Sequence, residues 1–133
     1  MDIKQVIVIR KDLNMRKGKM VAQGAHASLK VFLDKGFKSD FSRNVKGDSA
    51  FSIYLTDAME EWMNGLYKKI VVYVESKEEL IELYNQANDL NIPTALIKDE
   101  GLTEFDKPTY TALAIGPDKS NDIDKITGTL PLL

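Results

Sequence analysis

The chain has 133 residues and a mass of 15.0 kDa, the length of one domain. Hydrophobic residues at 44% and charged residues at 29% exclude disordered and collagen-like chains. The absence of Cys excludes disulfide scaffolds, thiolate zinc sites and thiol nucleophiles, and the single histidine, His26, excludes a His-rich metal site.

In chain order, Val6–Ile9 is a continuous apolar run bounded by charges, as a buried strand is. It is too short for a signal peptide, and no 18-residue apolar stretch exists, so a cytoplasmic protein without a membrane segment is expected. Gly18 to Asp34 reads as a long helix, with Gly36 as its C-cap glycine. Residues 38–56 are polar and irregular, and read as a surface excursion. Asp57–Gly65 reads as a short helix carrying the only tryptophan, Trp62. Ile70–Val74 is a second apolar run. Ser76-Lys77-Glu78-Glu79 is a capping box opening a helix to about Leu90. Thr94–Ile97 and Tyr110–Ile115 complete four strands, the last closed by Gly116-Pro117. Continuous apolar strands imply cover on both faces. The last two strands are joined by a loop alone, so they pair antiparallel. The expectation is a compact three-layer α/β domain over 1–133, a four-stranded mixed sheet with helices on both faces.

Charge is unevenly spread. The net charge is −2, which by itself argues against a nucleic-acid partner. Residues 1–46, however, hold 11 Lys and Arg against 4 Asp and Glu, a net of +7, and the remainder carries −9. Such a split points to an anionic partner for the basic part, or to a solvated basic face. Five of the basic residues, Arg10, Lys11, Arg16, Lys17 and Lys19, lie in the segment linking the first strand to the long helix. That segment belongs at the carboxyl end of the strand, where α/β sheets place ligand crevices. The helix N-terminus adds free amides, which makes a phosphate site, although the P-loop spacing is absent.

At about 100° per residue, Lys19, Gln23, His26 and Lys30 share one stripe of the long helix, within about 60° of arc. Val21, Ala25, Leu29 and Phe32 form a broad apolar arc, and Met20, Ala27 and Val31 a second. A helix apolar on most sides is expected to be largely buried, with its polar stripe facing a groove. The plainer alternative makes Lys19 and Lys30 solvated charges and His26 a hydrogen-bonded boundary histidine. Asp99 follows the third strand; if that strand runs parallel to the first, Asp99 and Lys19 share an edge. Asp99 is then either a group that accepts a proton or orients water, or a turn-forming Asp.

These segments together resemble the type-II peptidyl-tRNA hydrolases. The carriers are Arg10-Lys11-Asp12-Leu13, Met15, Gly18-Lys19, Ala22-Gln23, Ala25-His26-Ala27, Lys69-Ile70-Val71-Val72, Asp99-Glu100-Gly101-Leu102-Thr103, Thr109-Tyr110-Thr111, Ala114-Ile115-Gly116-Pro117 and Ile126-Thr127-Gly128. The likeness spans nearly the whole chain in order. It implies a four-stranded mixed sheet flanked by helices, and hydrolysis of the ester joining a peptide to the terminal ribose of tRNA, with no metal and no cofactor. Lys19, Gln23, His26, Asp99 and Thr103 match the family's functional positions, with Thr109 a further candidate for substrate contact. Arg10, Lys11, Arg16, Lys17 and Lys30 are the expected tRNA contacts, and a homodimer is compatible. The chain departs from the family at Leu102, usually Arg, at Glu104, usually Gln, at Lys107-Pro108-Thr109, usually Pro-Gly-Thr, and in the length of 38–56. A non-catalytic RNA- or protein-binding module, or a hydrolase of another ester, are the alternatives on the same crevice.

Overall fold

A computed structural model describes residues 2–39, 49–102 and 104–133. In chain order the elements are β1 (Ile3–Arg10), a 3-10 turn (Lys11–Leu13), α1 (Lys17–Leu33), β2 (Gly36–Ser39), β3 (Ala50–Ile53) and α2 (Asp57–Asn64). They continue with β4 (Lys69–Val74), α3 (Lys77–Asp89), β5 (Thr94–Asp99), β6 (Thr109–Lys119) and α4 (Ser120–Thr127). The four expected strands form one sheet in the order β4-β1-β6-β5, with β1 parallel to β4 and antiparallel to β6. β5 is antiparallel to β6, so β1 and β5 point the same way and their carboxyl ends share an edge.

Alternation along β1 builds two cores. Ile3, Ile7 and Ile9 join Ala27, Val31 and Phe32 of α1 and Met59 and Trp62 of α2. Val6 and Val8 join Leu80 and Leu83 of α3 and Ile123 and Ile126 of α4. Successive strand residues point to opposite faces, so one apolar run serves both cores. The capping box forms: Ser76 Oγ accepts from the Glu79 amide at 3.1 Å. The Glu79 carboxylate accepts from the Glu75 amide, one residue earlier than the usual partner. Thr56 caps α2 in the same way, accepting from the Met59 amide.

Several expectations are corrected. Gly36 does not cap α1; Asp34 does, and Gly36 opens β2. A Cβ there would lie 2.7 Å from the Ser52 carbonyl oxygen of the neighbouring strand, so the glycine serves a close approach. The described parts of 38–56 are not wholly irregular, since β2 and β3 pair as an antiparallel ribbon, while 40–48 lie outside the described residues. The last strand continues past Gly116-Pro117 to Lys119 through a bulge, where a residue without an amide proton is tolerated. Buried Gln5 fills that bulge: its amide nitrogen donates to the Gly116 and Ser28 carbonyls, and its oxygen accepts from Ser28 Oγ. Helix α4 has no counterpart in the sequence reading.

The long helix departs most. Its buried residues are Gln23, Gly24, Ala27, Val31 and Phe32, and the arc of Val21, Ala25 and Leu29 is exposed rather than covered. The helix packs mainly over β6, β5 and β1, leaving the flank towards β4 open. Among the described residues, no helix is long and apolar enough to cross a membrane.

Candidate active site

The parallel course of β1 and β5 brings the start of α1 beside the end of β5. Lys19 Nζ donates to Asp99 Oδ2 at 2.5 Å, and both side chains are 12% exposed. Asp99 Oδ1 accepts from the Gly101 amide at 2.9 Å. The Lys19 hydrogen bond, and then the Gly101 amide, hold the Asp99 carboxyl below the ordinary carboxylate range, against the opposing effect of burial. Gly101 is required here: its φ is +84°, and a Cβ would lie 2.7 Å from the Lys107 backbone, which folds back against it.

Gln23 lies one turn along α1 and is buried. Thr111 Oγ1 donates to Gln23 Oε1 at 2.5 Å. That bond occupies the amide oxygen and leaves Nε2 as the donor available to the cleft. Gln23 and Asp99, with exposed His26 and Leu102, line a cleft of about 260 Å³. Lys19 Nζ also stands 5.6 Å from the Phe105 ring centroid. Lys19, Gln23, His26 and Asp99 are thus brought together. Thr103 lies outside the described residues.

Thr111 escaped the sequence reading, which selected Thr109. Thr109 pairs with Asp99 across the strands, but its hydroxyl turns to the Lys107 carbonyl. Between the pairs Ile97–Ala112 and Lys98–Tyr110, β6 carries one extra residue, Thr111. Such a bulge re-aims a side chain. Tyr110 and Leu113 pack on the α3 side and Ala112 on the α1 side, whereas strict alternation would turn Thr111 away from α1. The signals in the sequence were a threonine inside an otherwise apolar run and its place in the segment Thr109-Tyr110-Thr111.

The basic residues divide. Arg10 is engaged on both sides, with Nε and Nη2 donating to the Asp12 carboxylate and Nη1 to the Tyr110 carbonyl at 3.0 Å. It lines a different cavity, with Ser76 and Lys98. Lys11 stacks over Tyr73 of β4, 4.3 Å from the ring centroid. Lys30 pairs with Asp34 on the exposed helix surface, eleven residues or about 16 Å along α1 from Lys19. Arg16 and Lys17 stand exposed at the start of α1, with Glu104 3.8 Å from Arg16 Nε. Among the described residues, no group of three His, Asp or Glu side chains could hold a metal ion.

A family model described as peptidyl-tRNA hydrolase PTH2 matches residues 3–133. The chain is 45% identical over 131 residues to a peptidyl-tRNA hydrolase of Methanocaldococcus jannaschii, covering 98% of this chain and 100% of that one. It is 42% identical over 130 residues to a peptidyl-tRNA hydrolase of Methanopyrus kandleri, covering 98% and 97%. It is 42% identical over 134 aligned positions to one of Thermococcus onnurineus, again covering 98% and 97%. The match runs from the first strand to the last helix, through every segment that builds the cleft, and on it the chain belongs to the PTH2 family of peptidyl-tRNA hydrolases.

Proposed function

We propose that the chain hydrolyses the ester that joins a peptide to the terminal ribose of tRNA. The observation that carries this reading is Asp99, paired with Lys19 and lining one cleft with the oriented Gln23 amide. Ester hydrolysis needs a water delivered to the carbonyl carbon and donors for the oxygen that becomes anionic. Lys19 Nζ and Gln23 Nε2 are those donors. Asp99, kept ionised by Lys19, orients the water; its depressed pKa makes it a weak base. The proton goes instead to His26, the chain's only imidazole. The new carbon–oxygen bond forms, the tetrahedral intermediate collapses, the bond to the ribose oxygen breaks, and His26 returns the proton to that oxygen. Thr103, four residues after Asp99 in the sequence, is the further residue this scheme assigns to orienting Asp99 or the substrate.

The exposed cations Arg16 and Lys17, with the first amides of α1, meet tRNA phosphates in this scheme. The same reading takes residues 1–133 as one functional unit, peptidyl-tRNA as its partner, the cytoplasm as its setting, and a homodimer as an assembly that sedimentation tests. The deciding experiment incubates purified protein with a peptidyl-tRNA and measures free tRNA. Wild-type protein should release it, and Lys19→Ala or Asp99→Ala should slow release by roughly a hundredfold or more. Full activity in both variants refutes the site. Tight RNA binding without release points to a binding module, and neither activity points to another ester.

A further inference from the structure

The other flank of α1 carries an apolar groove of about 630 Å³. Its floor is Ile7, Ile9 and Val71, and its wall is Val21, Ala25 and Leu29. Val21 is 73% and Leu29 56% exposed. Val21, Ala25, Leu29 and Leu33 recur every four residues, so they form one ridge about 18 Å long. A monomer gains nothing from leaving such a ridge in water, and apolar patches of this kind mark interaction surfaces.

One end of the groove has a different chemistry. Tyr67 holds φ +57°, a conformation rare for a bulky side chain and typical of recognition sites when retained. Its ring lies 4.2 Å from that of Trp62. Lys69 Nζ stands 3.5 Å from the Tyr67 ring centroid and 4.8 Å from that of Trp62. Among the described residues, Lys69 is the one charged side chain lining the groove, and it makes no ion pair. Burial lowers its pKa, so the ammonium is partly stripped of water without a carboxylate in exchange. The groove therefore offers an apolar trough with a cation at one end that rests on two aromatic rings and lacks a carboxylate.

We propose that this groove docks an amphipathic helix of a partner protein, its apolar side chains laid along Val21, Ala25 and Leu29 and an acidic residue set over Lys69. A helix is the occupant whose spacing matches a ridge of three turns. A small carboxylate pairs with Lys69 but covers only part of the ridge from Val21 to Leu29. A second copy of the chain pairs the groove with itself about a two-fold axis, and then neither copy supplies the anion. The surface lies on the opposite flank of α1 from Lys19 and does not depend on the proposed hydrolysis.

The test uses a synthetic helical peptide with leucines at i, i+3, i+4 and i+7 and a glutamate at one end, titrated into the full chain. Trp62 is the only tryptophan and reports binding by its emission. The peptide should bind the wild-type protein. Lys69→Glu should weaken binding about tenfold, and a lysine-ended peptide should recover it on that variant. Leu29→Glu, at an exposed position, should abolish binding with melting temperature and peptidyl-tRNA hydrolysis unchanged. Equal binding of both peptides to both proteins overturns the proposal, as does no binding. A dimer in sedimentation that Leu29→Glu dissociates also overturns it, in favour of an interface between copies. Displacement of the peptide by decanoate with no loss in Leu29→Glu overturns it in favour of a small anion.

Discussion

Thr111→Val is the sharpest test of the cleft's design. Valine keeps the shape of threonine and removes one hydroxyl. That hydroxyl is fully buried and donates to the oxygen of buried Gln23. Without it, either Gln23 Oε1 stays unpaired, at about 1–3 kcal/mol, or the amide rotates to find another donor. In the second case Nε2 leaves the cleft, and losing one donor for a developing oxyanion costs about a hundredfold to a thousandfold in turnover. The two costs draw on the same side chain, so they compete rather than add. Thr111→Val should therefore lose between about 1 kcal/mol of stability with activity kept, and about a hundredfold in kcat with stability nearly kept. Single-turnover release of tRNA and chemical denaturation, run on the same preparations, separate the two. In a Gln23→Ala background the substitution should change kcat little, because its effect passes through Gln23. A full additional loss of activity in the double variant would refute the positioning argument.

Three further outcomes are expected. The depressed pKa of Asp99 stabilises the fold above the unfolded carboxylate value of about 3.9, and that contribution is lost as pH falls through the lower folded value; the melting temperatures of wild type and Asp99→Asn should differ near neutral pH and converge in acid, and a constant gap refutes it. Gly101→Ala, at φ +84° against the Lys107 backbone, should destabilise by about 1–3 kcal/mol and slow turnover by displacing the loop that bonds Asp99, checked by denaturation and release assays. Neutralising exposed Arg16 and Lys17 together should lower the slope of log affinity for tRNA against log salt by about two, and an unchanged slope removes them from the interface.

Local chemistry was legible in the residues. The apolar runs marked all four strands of the sheet; β1 and β6 are buried on both faces and need apolar side chains in succession, whereas β4 carries such a run with Val71 left exposed. Ser76 and Glu79 marked a helix start because capping joins residues three apart. The helical stripe runs on α1 through Lys19, Gln23, His26 and Lys30; the first three gather at the cleft, and Lys30 pairs with Asp34 further along the helix. Nothing local marked the Tyr110 carbonyl that, with Asp12, takes the Arg10 guanidinium, since it lies a hundred residues away in the chain.

The sequence by itself determined the four strands of the sheet and the helices α1, α2 and α3, the gathering of basic charge in the first 46 residues and the residue types able to do the chemistry, but not β2, β3 or α4. Periodicity shows which arcs of a helix are apolar, but not which neighbour arrives to cover them. Only the tertiary structure decided that α1 turns Gln23 and Ala27 to the sheet and leaves Val21, Ala25 and Leu29 open. Only the bulge in β6 decided that Thr111, not Thr109, reaches Gln23. A strand's register and its irregularities are set by partners distant in the chain, and a one-residue slip turns a side chain to the other face.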